Sequence, residues 1–97
     1  MTWTLETLRQ RREEILEIAA RRKAKNVRVF GSIARGDAGP SSDIDFVVEF
    51  HPGTSLMDLG GLIMDLREAL DCKVDVISER GMRDRLRRNV EADAVAL

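Results

Sequence analysis

The segment Asp43-Ile44-Asp45-Phe46-Val47-Val48 constrains the fold more than any other stretch of the 97-residue chain. Successive side chains of a β-strand point to opposite faces. A strand here therefore presents Asp43 and Asp45 on one side, roughly 6.5–7 Å apart, and Ile44, Phe46 and Val48 on the other. The apolar side can pack under helices. The acidic side holds two anions that repel each other and bury badly unless something positive sits between them.

The segments around this strand supply such helices. Thr4 to Lys23 reads as one amphipathic helix, with Leu5, Leu8, Ile15, Leu16 and Ala19 on its apolar stripe and Thr4 as N-cap. Val27 to Phe30 reads as a strand, Gly31 to Arg35 as a turn opening a short helix, and Gly36 to Ser42 as a loop. Asp43 to Phe50 is the second strand. Ser55 to Leu70 is a second long helix, capped by Ser55 with Asp58, and with Leu56, Leu59, Ile63, Leu66 and Leu70 facing inward. Gly60-Gly61 within it invites the close approach of another backbone. Lys73 to Ile77 is a third strand, and Ser78 to Val90 a third helix with Met82, Leu86 and Val90 inward. The apolar ending Ala94-Val95-Ala96-Leu97 suits a further strand or a cover for an open core edge. The expected fold is α/β, with helices packed against one small sheet in a single domain, 1–97.

The chain is 43% hydrophobic and 34% charged with a net charge of -1, which fits a globular protein and gives no global reason to expect nucleic acid as a partner. No stretch approaches the roughly 20 apolar residues of a membrane span, and no signal-peptide core is present. The lone Cys72 excludes an internal disulfide framework. These features together lead us to expect a cytoplasmic protein without membrane contact.

Two further features belong with the aspartates. In Lys73-Val74-Asp75-Val76-Ile77 the valines face one way and Asp75 the other, so if this strand neighbours the second, Asp75 lies within about 5 Å of one of the pair. Three carboxylates so placed can hold two metals roughly 3.5–4 Å apart, as in-line phosphoryl or nucleotidyl transfer requires. Hard cations such as Mg²⁺ suit such oxygen donors. At the end of the first strand stands Gly31-Ser32. The glycine admits a ligand close to the backbone, the serine offers a hydroxyl and an N–H, and Arg35 one turn later can add a charged fork. Gly31 and Gly36 have the spacing of a Walker A loop, but Asp37 stands where that loop needs Lys, so a P-loop is rejected. An Asp-x-Asp pair alone is an ordinary solvated strand face. Joined to Gly31-Ser32, it indicates a metal and nucleotide site.

Gly31-Ser32, ten residues, then Asp43-Ile44-Asp45 resembles the signature of the DNA polymerase β-type nucleotidyltransferase superfamily. The wider run Gly-Ser-x-Ala-Arg-Gly, continuing to Ser-Asp-Ile-Asp, is most similar to its minimal nucleotidyltransferase subgroup. The resemblance implies a small mixed sheet with packed helices, two Mg²⁺ ions held by Asp43, Asp45 and Asp75, and ATP phosphates cradled by Gly31 and Ser32 with help from Arg35. It also implies attack on the α-phosphate with release of pyrophosphate. Similarity to MntA-like antitoxins further implies a HEPN-type toxin as partner, with AMP moved from ATP to a toxin tyrosine. Larger relatives that modify antibiotics or nucleic acids carry extra substrate domains, which makes a docked protein the expected acceptor. Two alternatives stay open: an antitoxin that acts by binding alone, and an enzyme of the same chemistry with a small-molecule acceptor.

Other residues invite plainer readings. His51 lies in a turn, Cys72 reads as a small buried apolar residue, and Arg80, Arg83, Arg85, Arg87 and Arg88 form a basic helix that reads either as a solvated face with Glu79, Asp84 and Glu91 as ion partners or as a docking surface for an acidic partner.

Overall fold

Strand β2 (Ile44–Phe50) lies inside a four-stranded sheet of order β3-β2-β1-β4 in the computed structural model, which describes residues 2–97. Its neighbours are β1 (Ala24–Phe30), which is antiparallel, and β3 (Val74–Ser78), which is parallel. The two-residue strand β4 (Val95–Ala96) pairs antiparallel with β1 on the far side. A parallel pair needs a crossover, and α4 (Leu56–Leu70) provides it between β2 and β3. The sheet is therefore mixed, as expected, and the apolar ending does add a strand.

Both faces of β2 are covered. Ile44, Phe46 and Val48 meet Leu8 of α1 (Leu5–Gln10), Ile15, Ile18 and Ala19 of α2 (Arg12–Arg21), and Leu62, Leu66 and Leu70 of α4. Val47 points the other way, into a smaller cluster with Met82 and with Val90 of α5 (Asp84–Asp93). The remaining helix, α3 (Gly31–Arg35), follows β1 without a break. Among the described residues, no helix is long and apolar enough to cross a membrane.

Several sequence expectations need correction. The first helix is two, because Arg11 leaves helical geometry (φ -109°, ψ 21°). From that position its guanidinium donates to the Ala69 carbonyl (2.8 Å) in the last turn of α4, satisfying a group that the helix end leaves orphaned. Thr4 does cap α1, accepting from the Thr7 N–H at 3.1 Å. Ile18, absent from the expected stripe, is buried, whereas Leu5 and Leu16 are only half-buried. Strand β1 starts three residues earlier than Val27, because a register shift between Lys25 and Arg28 lets it continue past Asn26, whose φ is +51°.

In α4, Leu56 faces solvent (84% exposed), and the inward stripe is Leu62, Leu66 and Leu70. Gly61 admits a side chain rather than a backbone. A Cβ there would lie 2.5 Å from Cζ of Arg22, whose guanidinium crosses to Asp65 at 2.8 Å. The last helix begins at Asp84, six residues later than expected. The 3₁₀ turn Glu79–Gly81 and the extended Met82 intervene, so the periodicity from Met82 to Leu86 does not run along one helix. Leu86 is consequently 42% exposed, while Met82 and Val90 are buried.

Truncating Phe46 to Ala, at the centre of the main cluster, should cost about 3–5 kcal/mol by chemical denaturation. Leu86→Ala should change stability by less than about 0.5 kcal/mol. Equal costs would place Leu86 in the core after all.

Candidate active site

Strand register decides which acids meet. Asp45 stands opposite Phe30 on one side and opposite Asp75 on the other, so its carboxylate lies between the end of β1 and the start of β3. Asp43 precedes β2 by one residue, and the Ile44 N–H donates to the Lys73 carbonyl at 3.0 Å, tying the starts of β2 and β3 together. The buried valines Val74 and Val76 leave Asp75 on the exposed face, as the alternation demands.

Asp45 senses both of its acidic neighbours. Burial raises the Asp45 carboxyl above its ordinary range, the negative charges of Asp75 and Asp43 raise it further, and Arg35 partly offsets them. The outer two acids have cations within reach: Lys73 Nζ lies 3.9 Å from Asp43, and an Arg67 nitrogen lies 3.7 Å from Asp75. Arg67 is anchored by a hydrogen bond from its Nε to the Val74 carbonyl at 3.0 Å. Neither cation was singled out from the sequence. Lys73 carries a weak signal in its position at the start of an acid-bearing strand, while Arg67 sits a whole helix turn before β3 and carries none.

Gly31 completes the cluster. Its φ is +75°, a region that L-residues rarely occupy, and a Cβ built on it would fall 2.4 Å from Oδ2 of Asp45. Glycine is therefore required twice, by backbone conformation and by the carboxylate beside it. Ser32 is the second residue of α3 and half-buried. Arg35, four residues after Gly31, spends its guanidinium on Asp93 (2.8 Å) and Asp37 (3.3 Å). A ligand phosphate would have to compete with those two carboxylates for it.

A cavity of about 830 Å³ opens beside Asp43, bordered by Trp3, Arg11, Ser42, Cys72 and Lys73. Cys72 is half-buried rather than buried. Burial and then the Asp43 charge push its thiol up, away from the thiolate form. His51 is exposed beyond the far end of β2 and does not join the acids. Of the arginines beyond β3, only Arg87 pairs as expected, with Glu91 at 4.0 Å. It also donates to the Glu79 carbonyl at 3.1 Å.

Hard oxygen donors short of positive charge are a donor set for a hard divalent cation, and the mutual strain at Asp45 fits that need. Among the described residues, no three Asp, Glu, His or Cys side chains already converge into a closed chelate. The like-charged acids stand side by side, with Lys73 and Arg67 at the rim. Such a site can take cations on its acids and an anionic group at the Gly31-Ser32 turn.

The sequence matches the nucleotidyltransferase domain family over residues 12–97. A Methanocaldococcus jannaschii protein, provisionally named a protein adenylyltransferase, is 36% identical over 84 residues, covering 87% of this chain and 90% of its own. A solved structure described provisionally as a minimal nucleotidyltransferase superposes with a TM-score of 0.85 at 47% identity, covering 98% of this chain and 97% of that one. A complex of tri-AMPylated Shewanella oneidensis HEPN toxin with MNT antitoxin matches in fold, with a TM-score of 0.71 at 21% identity over 91% of this chain and 69% of that one.

Two outcomes follow from the geometry. Gly31→Ala should destabilise the protein by roughly 1–3 kcal/mol in denaturant, against a small change for Ser32→Ala. For Asp45 the folded carboxyl holds its proton more tightly than the unfolded one, so its ionised form costs stability near neutral pH. Asp45→Asn should therefore melt above the parent near neutrality, and the gap should close as pH falls toward the carboxylate range near about 4. A parent that melts higher at neutral pH would contradict the strain at this position.

Proposed function

Because the chain belongs to the nucleotidyltransferase domain family, we propose that it is a Mg²⁺-dependent adenylyltransferase that moves AMP from ATP to a tyrosine of a HEPN-type partner and so acts as its antitoxin. The observation that carries this reading is that Asp45 stands in register with Asp75 of β3 on one side and has Gly31, the first residue after β1, against its carboxylate on the other. That order suits an in-line displacement, in which the leaving phosphates would lie at the Gly31 end, the reacting phosphorus near Asp45, and the acceptor at the Asp75 end.

At the β1 end, Gly31 lets phosphate oxygens approach the backbone, and Ser32 offers its hydroxyl and N–H. Arg35 would exchange Asp37 or Asp93 for a phosphate oxygen. In the middle, Asp43 and Asp45 are the acids that would hold Mg²⁺, with Asp75 joining them from β3. When bound, such ions offset the charge that grows on the attacking and leaving oxygens. At the β3 end, Asp75 is the most exposed of the three acids, so an incoming hydroxyl reaches that side first. The acceptor oxygen bonds to the α-phosphorus, the bond to the β-phosphate oxygen breaks, pyrophosphate leaves, and the hydroxyl proton passes to water. No covalent intermediate on the protein is needed.

The adenylyltransferase naming of the Methanocaldococcus relative and the AMP-carrying toxin in the Shewanella complex support AMP as the group transferred and a HEPN protein as its acceptor. With ATP, Mg²⁺ and the cognate partner, intact mass measurement should find the partner heavier by whole AMP units. Asp43→Ala or Asp45→Ala should reduce the rate at least about 1000-fold. If the aspartate variants modify the partner at the parental rate, the mechanism is wrong. If a variant with Asp43, Asp45 and Asp75 all changed to Ala still protects cells from the toxin, the protein acts by binding alone.

A further inference from the structure

Two carboxylates hold Arg35, and they hold it unequally. Its Nη1 donates to Asp93 at 2.8 Å and its Nε to Asp37 at 3.3 Å. The Asp93 side chain is 26% exposed, against 62% for Asp37. Asp93 is the last residue of α5, and the chain is tied down on both sides of it. Val90 is buried one turn before, the Ala94 N–H donates to the Val90 carbonyl at 2.8 Å, and β4 then pairs with β1. Asp37 follows Gly36, at the head of the loop into β2. Its N–H donates to the Ser32 carbonyl at 3.0 Å, while its carboxylate reaches into solvent.

Arg35 also belongs to the surroundings of the acids. It closes the five-residue helix α3 that begins at Gly31, and its positive charge is felt at Asp45. We propose, on the nucleotide reading given above, that Asp93 is a positioning residue that keeps Arg35 within reach of the nucleotide phosphates, and that Asp37 occupies the place on Arg35 that a phosphate takes.

The fork of the guanidinium permits this division. Its Nε–H and Nη2–H lie along one edge and together match two oxygens of a phosphate. Asp37 takes that edge through Nε, whereas Asp93 holds Nη1. A phosphate can therefore claim the Nε edge while Nη1 stays on Asp93. Hydration favours the same exchange. Asp37 is already mostly in water and needs little more of it on swinging away. Asp93, if released instead, would be left half-buried and unpaired, which costs more. Without Asp93 the long Arg35 side chain would be free to turn among its rotamers, and each binding event would have to order it again.

Calorimetric titration of the whole chain with MgATP tests the division, with circular dichroism confirming that each variant folds. Asp37→Asn removes the competitor and should tighten binding about 4-fold. Asp93→Asn should weaken it about 5-fold, and Asp93→Glu, which keeps the charge, should recover part of that loss. In an Arg35→Ala background neither asparagine substitution should move the affinity by more than about 2-fold, because both act through Arg35. If charge alone mattered, both substitutions would tighten binding, since each removes a negative charge near an anion. That result would overturn the proposal. So would effects of full size without Arg35, or an Asp37→Asn variant that binds no tighter than the parent. A parent that binds no MgATP would overturn the nucleotide reading too, which tells the two failures apart.

Discussion

Strand β2 holds an ionisable side chain against the least polar part of the molecule, and the rest of the site is arranged around that conflict. Asp45 stands between Ile44 and Phe46, both fully buried, and its carboxylate cannot retreat, because Gly31 and β3 flank it. Neighbouring strands lie about 4.7–4.9 Å apart, which fixes Asp75 beside it whatever the two charges prefer. The sheet thus imposes a like-charge contact that the side chains alone would avoid. The apolar packing on the opposite face of β2 stabilises the strand against that cost, and Lys73, Arg67 and Arg35 draw off part of it from the rim.

What could be read from the sequence was what depends on local alternation. Asp43 and Asp45 share a face because strands have a period of two. Asp75 joined them once the two valine-flanked strands were adjacent. Gly31 stood out because an apolar strand running into Gly-Ser has few structural readings. The features that were not legible depend on distant partners. Arg11 breaks the first helix to reach Ala69, 58 residues away in sequence, and nothing near Arg11 announces that partner. Leu56 satisfies the helical period on paper, yet it is the first residue of α4 and stands in solvent, a turn and a half before the first buried leucine, Leu62. The run from Met82 to Leu86 looks helical only if Gly81 and Met82 are assumed to be so, and the chain instead extends there to bury Met82 against Val47.

Glycine placement separates two kinds of constraint. Gly31 is held by φ and by the Asp45 oxygen at once, whereas Gly61 is held only by the Arg22 side chain lying across it. The first links backbone shape to chemistry. The second links α2 to α4 through the Arg22–Asp65 pair, and so helps orient the helix that leads into β3. Arg11 binds the last turn of the same helix. The position of Asp75 is in this sense set from the N-terminal helices, through the C-terminal half of α4.

Arg67 has an effect beyond the acid it accompanies. β3 is an outer strand of the sheet, and outer strands invite pairing with stray chains through their unused backbone groups. By donating to the Val74 carbonyl, Arg67 occupies one of those groups, and its charge and that of Asp75 project along the same border. At the opposite border β4 is only two residues long. Among the described residues, one margin of the sheet is thus charged and the other short, and the side chain that steadies an acidic site also occupies a backbone group that a stray strand would use.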